Sequence, residues 1–248
     1  MNIIEAKDYQ DLSIKAAQYI IKNVRHNPNL VLGLATGSTP KGTYEQMIKD
    51  FQQNNTSYQY VKTINLDEYV GLAKDDLNSY STFMNEHLFN HIDIPHSQTY
   101  IPNGMAKDLH NECAQYDRLI HSLGGVDLQL LGIGHNGHIG FNEPNTSFKT
   151  RTHIVKLASS TRNANERFFQ DINEVPNYAI TMGIQTILES KEILLLVSGK
   201  GKAKAVQKLL VEKNRCEQFP ASSLYAHPHV TIIADKAALS LTFERKES

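Results

Sequence analysis

The stretch from residue 126 to residue 144 constrains the fold most, because an apolar strand pattern runs directly into the glycine-rich loop LGIGHNGHIGFNEP. The apolar positions from Val126 to Ile133 predict a buried strand. Glycines at 132, 134 and 137 allow the backbone to turn sharply where that strand ends. Because functional groups often follow the end of such a strand, the sequence predicts a functional loop at this point.

The side chains of this loop suit proton transfer. His138 titrates near neutral pH, Glu143 is a carboxylate, and the Asn136 amide is placed to orient the imidazole. Two alternatives stay open at this point. The histidines of a glycine-rich turn often bond only to the backbone, and His135, His138 and Glu143 are all zinc-ligand types. A zinc site is disfavoured because the loop lacks the helical spacing of the usual two-histidine motif.

Composition favours an α/β protein that acts on small molecules. The 248 residues are 40% hydrophobic, which suffices for a sizeable core. With 25 basic and 26 acidic residues the net charge is −1, so neither nucleic acid nor an anionic membrane is an expected partner. The charged N-terminus resembles no signal peptide, no apolar run reaches transmembrane length, and Cys113 and Cys216 are predicted to be free thiols. We therefore expect a cytoplasmic protein.

Helix and strand patterns alternate along the chain. Helices are predicted at residues 7–24, after the turn at 36–40 as far as 49, and at 78–90, 107–123, 179–190 and 202–211. Strands are predicted at residues 30–35, 61–66, 126–133, 193–197 and 230–234. Five or six strands in this order predict one domain over residues 1–248, with a mostly parallel, open, Rossmann-like sheet and helices on both faces.

The segment from residue 145 to residue 177 interrupts this alternation. It is polar, rich in basic residues and contains only short apolar pieces. Long segments of this kind inside a compact domain are usually functional, so we interpret it as a mobile lid. A plain surface insertion with some helix at 163–169 remains an alternative.

Three further clusters follow predicted strands. Gly37, Ser38 and Thr39 form a glycine turn at a helix start, Asp67 follows the second strand, and Lys202 begins a helix. Each has an ordinary alternative: a plain N-cap, an exposed turn carboxylate and a solvated lysine. A helix N-terminus and a cation suit phosphate, although no nucleotide-binding glycine motif is present. Together with the glycine-rich loop they favour a phosphorylated small molecule that undergoes acid–base chemistry.

Five motifs, ATGSTP, NLDEY, GIGHNGHIGFNEP, STRNANERFF and SGKGKA, occur in an order that resembles the glucosamine-6-phosphate deaminase family over nearly the whole chain. The resemblance implies conversion of D-glucosamine 6-phosphate and water to D-fructose 6-phosphate and ammonia, in amino-sugar catabolism and with no cofactor or metal. The partner is then a sugar phosphate, and a homo-oligomer is possible.

The resemblance also implies roles for single residues. Asp67 matches the base that moves a proton between C2 and C1, and His138 matches the group that assists ring opening together with Glu143. Asn136 completes the candidate catalytic set. The implied phosphate contacts are Gly37, Ser38, Thr39, Arg162 and Lys202.

Two departures from the family pattern matter. Some members carry aspartate where this chain has Asn136, which can orient His138 but cannot stabilise its cation by charge. His153 and Val155 stand where basic residues of an activator site are expected, and the tail ends soon after Phe243, so we expect little activation by N-acetylglucosamine 6-phosphate.

The rival functions are a 6-phosphogluconolactonase, which has a similar fold, and a sugar-phosphate-binding regulator, which would need a DNA-binding segment.

Overall fold

The computed structural model describes residues 1–166, 169 and 171–242, and ten strands lie within them. In chain order they are β1 Asn2–Ala6, β2 Val31–Leu34, β3 Lys62–Asn65, β4 Asp67–Tyr69, β5 Thr99–Tyr100, β6 Leu128–Gly132, β7 His153–Lys156, β8 Tyr178–Thr181, β9 Glu192–Val197 and β10 Val230–Asp235. Seven of them form the main sheet in the order β1-β10-β9-β6-β2-β3-β5. Every neighbouring pair in this sheet is parallel, which confirms the predicted sheet type.

Helices cover both faces of the main sheet, as predicted. They are α1 Tyr9–His26, α2 Ser38–Asn54, α3 Tyr80–His87, α4 Leu109–Ser122, α5 Ser159–Asn165, α6 Ile184–Leu188 and α7 Ala203–Gln207. Alternate residues of β9 point to opposite sides: Leu194 and Leu196 join the core beneath α1 and α2, whereas Leu195 packs in the core beneath α4 and α7. Burial on both sides explains why the central strands are almost continuously apolar.

Three strands form a smaller antiparallel sheet in the order β4-β8-β7. The sequence predicted one helix over residues 179–190, and that prediction is wrong, because β8 occupies its first part and only the short α6 follows. Gly183 separates the two elements: a Cβ there would lie 2.1 Å from the carbonyl oxygen of Thr150. The close approach of that backbone fixes the change from strand to helix.

Other differences concern short elements. The edge strands β1 and β5 were not predicted, and the predicted helix over 202–211 is a 3-10 turn at Lys200–Lys202, then α7, then a π-helical turn at Lys208–Glu212. The helix predicted to end at Lys49 continues to Asn54. None of the helices in the described ranges is both long and apolar enough to cross a lipid bilayer.

The segment 145–177 contains both regular and irregular structure. β7 joins it to the small sheet, and α5 follows near the position where some helix was expected. Its movement as a lid stays a prediction, and Arg167, Phe168 and Gln170 lie outside the described residues.

Candidate active site

The candidate site lies at the carboxyl ends of the main-sheet strands, beside the point where strand order reverses. From β2 the chain continues to β3 and β5 on one side, whereas β6 on the other side leads to β9 and β10. Ligands of open α/β sheets bind in the crevice at such a point. A cavity of about 730 Å³ occupies it. Seven of the nine predicted site residues line this cavity: Gly37, Ser38, Thr39, Asp67, Asn136, His138 and Lys202.

The start of α2 forms one end of the cavity. Gly37 adopts φ +91° and so turns the chain from β2 into the helix. The Tyr9 hydroxyl donates to the Ser38 carbonyl at 2.9 Å and accepts from the Gly42 N–H, also at 2.9 Å. Gly37, Ser38 and Thr39 at the start of this 17-residue helix line the cavity, and the N-terminus of a helix favours an anion.

A second loop brings Lys202 to the same cavity. Gly199 adopts φ +91° after β9, and its N–H donates to the Asp235 carboxylate at 3.0 Å. The Ser198 hydroxyl donates to the same carboxylate at 2.5 Å. Asp235 thus holds the loop that carries Lys202. Sequence reasoning missed this residue, and only its position at the end of a strand could have indicated the role.

Asp67 is the first residue of β4 and is only 6% exposed. The interpretation as an exposed turn carboxylate is therefore wrong, because β8 pairs with this residue through Thr181 and covers it. Burial, with a smaller contribution from the neighbouring Glu68 carboxylate, raises the pKa of Asp67 to about 8. A carboxyl with this pKa is a much stronger base than an exposed aspartate.

The glycine-rich loop folds tightly around the predicted histidine. A Cβ at Gly134 would lie 2.3 Å from Cε1 of His138, so the imidazole packs directly on that glycine. A Cβ at Gly140 would lie 3.7 Å from Oδ2 of Asp67. Asn142 donates to the carbonyls of Ile139 and Met182, each at 2.8 Å, which fixes the loop beside β8. His138 and Asp67 therefore face the same cavity from two different strand ends.

Asn136 does not orient the imidazole, contrary to the prediction. Its Nδ2 donates to Oε2 of Glu143 at 2.8 Å, and its Oδ1 accepts from the backbone N–H of His138 at 3.2 Å. The ring nitrogen Nδ1 of His138 lies 3.7 Å from Oε2 of Glu143 and has no hydrogen-bond partner among the described residues. Asn136 thus acts on the carboxylate, and the carboxylate faces the imidazole.

Glu143 is held by groups from two segments. Burial acts to raise the pKa of its carboxyl, but His138, the Thr161 hydroxyl and the Asn136 amide together lower it to about 2. Thr161 donates to Oε1 from α5 in the segment 145–177. Sequence reasoning missed Thr161, and nothing local in the sequence indicates that it reaches Glu143. The carboxylate therefore stays ionised near neutral pH and faces the imidazole of His138.

Arg162 is not placed in the cavity by the described residues. Its guanidinium donates to the carbonyl oxygens of Ile172 at 2.8 Å and Val175 at 3.0 Å. In this arrangement it ties α5 to the following loop. The phosphate contact that the resemblance implied for Arg162 therefore has no geometric support here.

The alternative of a zinc site also lacks a matching arrangement. Within the described ranges no group of three or more histidine, cysteine, aspartate or glutamate side chains is placed to hold a metal ion. His135 lies on the cavity wall near the other loop, where its Nε2 would be 3.2 Å from a Cβ at Gly201.

The sequence model of the family described as "Glucosamine-6-phosphate isomerases/6-phosphogluconolactonase" matches residues 7–233. The chain belongs to this family. Membership in the glucosamine-6-phosphate isomerase/6-phosphogluconolactonase family agrees with the crevice just described, and it confirms the resemblance found in the motifs.

Relatives with more than half of their residues identical cover almost the whole chain. A protein named glucosamine-6-phosphate deaminase from Geobacillus sp. strain WCH70 is 59% identical over 99% of this chain and 98% of its own length. Glucosamine-6-phosphate deaminase 1 of Bacillus subtilis strain 168 is 56% identical over 97% and 99%. A solved structure described as a monomeric glucosamine-6-phosphate deaminase matches with a TM-score of 0.96 and 56% identity, over 97% of this chain and 100% of that chain.

Proposed function

We propose that this member of the family converts D-glucosamine 6-phosphate and water to D-fructose 6-phosphate and ammonia. The observation that carries the proposal is the buried Asp67 carboxyl, with its pKa raised to about 8, in the same cavity as a helix N-terminus and a lysine. An enolisation needs a strong carboxylate base at a fixed distance from the group that holds the substrate. Asp67 supplies the base, and the helix N-terminus and the lysine supply a binding site for the substrate's phosphate.

The phosphate of the substrate binds at the start of α2. The backbone N–H groups and hydroxyls at Gly37, Ser38 and Thr39 hydrogen-bond to the phosphate oxygens, and Lys202 adds a positive charge from the other loop. Anchoring the phosphate holds C1 and C2 at the other part of the cavity, where Asp67 lies. The binding energy of the phosphate then serves orientation of the reacting carbons.

His138 and Glu143 open the sugar ring. The imidazole of His138 takes the proton of O1 and returns a proton to O5 as the C1–O5 bond breaks, which yields the open-chain aldehyde. Glu143, ionised and 3.7 Å from Nδ1, stabilises the imidazolium that forms in between. Asn136 and Thr161 keep that carboxylate oriented.

Asp67 then moves one proton between two carbons. Its carboxylate takes the proton from C2, while the C1 aldehyde oxygen takes a proton from the substrate's own ammonium group, and a neutral enolamine results. Asp67 then returns its proton to C1, which leaves a protonated imine at C2 and restores the carboxylate. Water adds to this imine and ammonia leaves, so that C2 ends as the ketone of fructose 6-phosphate.

The testing experiment measures ammonia and fructose 6-phosphate released from glucosamine 6-phosphate by the purified chain without added metal. The two products should appear in equal amounts and vanish in Asp67→Asn. Asp75→Asn, an exposed aspartate with the same charge change, is the matched control and should behave as the unaltered chain. A folded chain that releases no ammonia but hydrolyses 6-phosphogluconolactone would replace the proposal with the rival lactonase activity.

The location and assembly belong to the same proposal. A phosphorylated sugar carries charge and stays in the compartment where it is made, so we expect the enzyme in the cytoplasm. A monomer is expected because the 56% identical solved relative is described as monomeric. Light scattering of the purified chain tests this state, and a mass of twice the chain mass or more would contradict it.

A further inference from the structure

Glu68 is a buried carboxyl for which the reaction has no direct use. It is 4% exposed and follows Asp67 in β4. Asp67 and Tyr69 line the cavity, whereas Glu68 is absent from the described residues that form its wall, as expected when alternate strand residues face opposite sides. A buried carboxylate is costly unless it is hydrogen-bonded, so its partners reveal its role.

Three backbone N–H groups satisfy the Glu68 carboxylate. Oε1 accepts from Tyr69 at 2.8 Å and from Tyr80 at 3.0 Å, and Oε2 accepts from Ser81 at 3.0 Å. Tyr80 and Ser81 are the first two residues of α3. The Ser79 hydroxyl accepts from the next N–H, that of Thr82, at 3.0 Å. Glu68 therefore supplies hydrogen-bond acceptors for two of the N–H groups that are unpaired at a helix start, and it joins β4 to α3.

The helix held in this way forms one wall of the cavity. Ser79, Tyr80 and Phe83 line it, and the ring of Tyr80 packs on that of Tyr69 at 4.7 Å between centroids. A change at Glu68 would alter the position of the strand that carries the base and of the wall that faces it.

We propose that Glu68 is a positioning residue for Asp67, which fixes the base strand against α3 and keeps a negative charge beside the catalytic carboxyl. This inference deepens the proposed function and rests on it. Glu68 contributes, after burial, to the raised pKa of Asp67. Burial raises the pKa of Glu68 to about 7, although the three N–H groups act in the opposite direction, so Glu68 is largely ionised in the pH range where Asp67 titrates.

Other titratable side chains lie around the Asp67 and Glu68 carboxyls and must be considered beside them. Tyr80 of α3 and Tyr116 of α4 have pKa values raised by burial, so both phenols are neutral at working pH. Asp76, in the turn before α3, raises the pKa of Glu68 further. His138 faces Asp67 from the glycine-rich loop across the cavity. Glu68 is thus the carboxyl whose charge acts most directly on Asp67.

The test is Glu68→Gln, which keeps the shape and one acceptor oxygen but removes the charge. We expect the acidic midpoint of the pH profile of kcat/KM to fall by about one unit. At the same time kcat should fall about tenfold while KM changes little, since the phosphate anchor is untouched. Asp108→Asn, which removes an acidic N-cap from α4 outside the cavity, is the matched control and should leave the midpoint in place.

A direct titration separates failure of this inference from failure of the proposed function. Carbon-13 NMR of labelled aspartate carboxyls, with Asp67→Asn to assign the signal, needs no turnover. A folded Glu68→Gln chain in which Asp67 titrates as in the unaltered chain would overturn the positioning role. If Glu68→Gln does not fold, the titration of Asp67 in the unaltered chain tests the inference instead. Coupling to Glu68 should make the Asp67 signal titrate in two steps, and a single step would refute the inference.

Discussion

The side-chain nitrogen of Asn136 lies 2.8 Å from Oε2 of Glu143, so an amide holds the carboxylate that faces His138. Asn136→Ala removes this donor, which should raise the pKa of Glu143 and lower kcat about tenfold. Asn136→Asp, which places a like charge against Glu143, should also raise the pKa of that carboxyl, but without moving the acidic midpoint of the pH profile that Asp67 sets. Steady-state kinetics of both variants from pH 5 to 9 checks this, and unchanged turnover in Asn136→Ala would remove the residue from the site.

Asp67→Asn should abolish turnover and yet stabilise the fold at alkaline pH. The folded pKa of about 8 exceeds the ordinary value of 3.8, so the folded state holds more protons than the unfolded state between these values. The free energy of unfolding of the unaltered chain therefore falls as pH rises through this window, by at most about 6 kcal/mol. Urea unfolding should show the variant more stable at pH 9, with the difference disappearing below pH 4. A stability difference that does not depend on pH would contradict the burial of a proton on Asp67.

Two cations implied as phosphate contacts should respond differently to substitution. Lys202→Met should raise KM about tenfold or more, because it removes a charge from the cavity. Arg162→Met should leave KM almost unchanged but lower the free energy of unfolding by about 1–3 kcal/mol, because it removes the donors to the carbonyls of Ile172 and Val175. A matched rise of KM in both variants would show that Arg162 binds phosphate after all.

Thr161→Val should loosen the segment 145–177, because it removes the hydroxyl that donates from α5 to Glu143. Cleavage of this segment by a protease should become faster, and saturating glucosamine 6-phosphate should protect it less than in the unaltered chain. Thr161→Ser retains the hydroxyl and is the control. Equal cleavage with and without the sugar phosphate in the unaltered chain would count against a lid.

N-acetylglucosamine 6-phosphate should activate the enzyme little. Burial lowers the pKa of His153, and its Nδ1 lies 2.9 Å from the Arg151 carbonyl oxygen, so the ring adds no cation near neutral pH. Val155 adds none either. Rate curves measured with and without this ligand should both be hyperbolic. Conversion of a sigmoidal curve to a hyperbolic one would contradict the expectation. The tail that was expected to end early, from Phe243 onwards, lies outside the described residues.

The central strands of the main sheet were predictable because they are apolar runs that alternate with amphipathic helices. The small sheet was not, because Ile180, Ile184 and Ile187 fall at spacings that also suit a helix face. The strand depends on its pairing with β4 and β7, and the change to helix depends on the backbone of Thr150 and Arg151 packing against Gly183, and these contacts come from outside the segment. β1 was missed because an edge strand is short and partly exposed, and its partner is the last strand of the chain.

The site residues were predictable where they follow a strand of the main sheet. Gly37 and His138 are of this kind. Their partners were not predictable, because Asp235 reaches the loop of Ser198 and Thr161 reaches Glu143 only in the folded chain. The burial of Asp67 likewise depends on β8, more than a hundred residues later in the sequence.

The chain leaves the main sheet at Leu66, between β3 and β4, and this crossing has a consequence for substrate choice. The proposed phosphate site belongs to loops of the main sheet, whereas Asp67 belongs to the small one. In the proposed binding mode, the packing between the two sheets therefore sets the distance from the phosphate to the base. A pentose 5-phosphate, one carbon shorter, should place its C2 too far from Asp67 and react more slowly than the hexosamine phosphate.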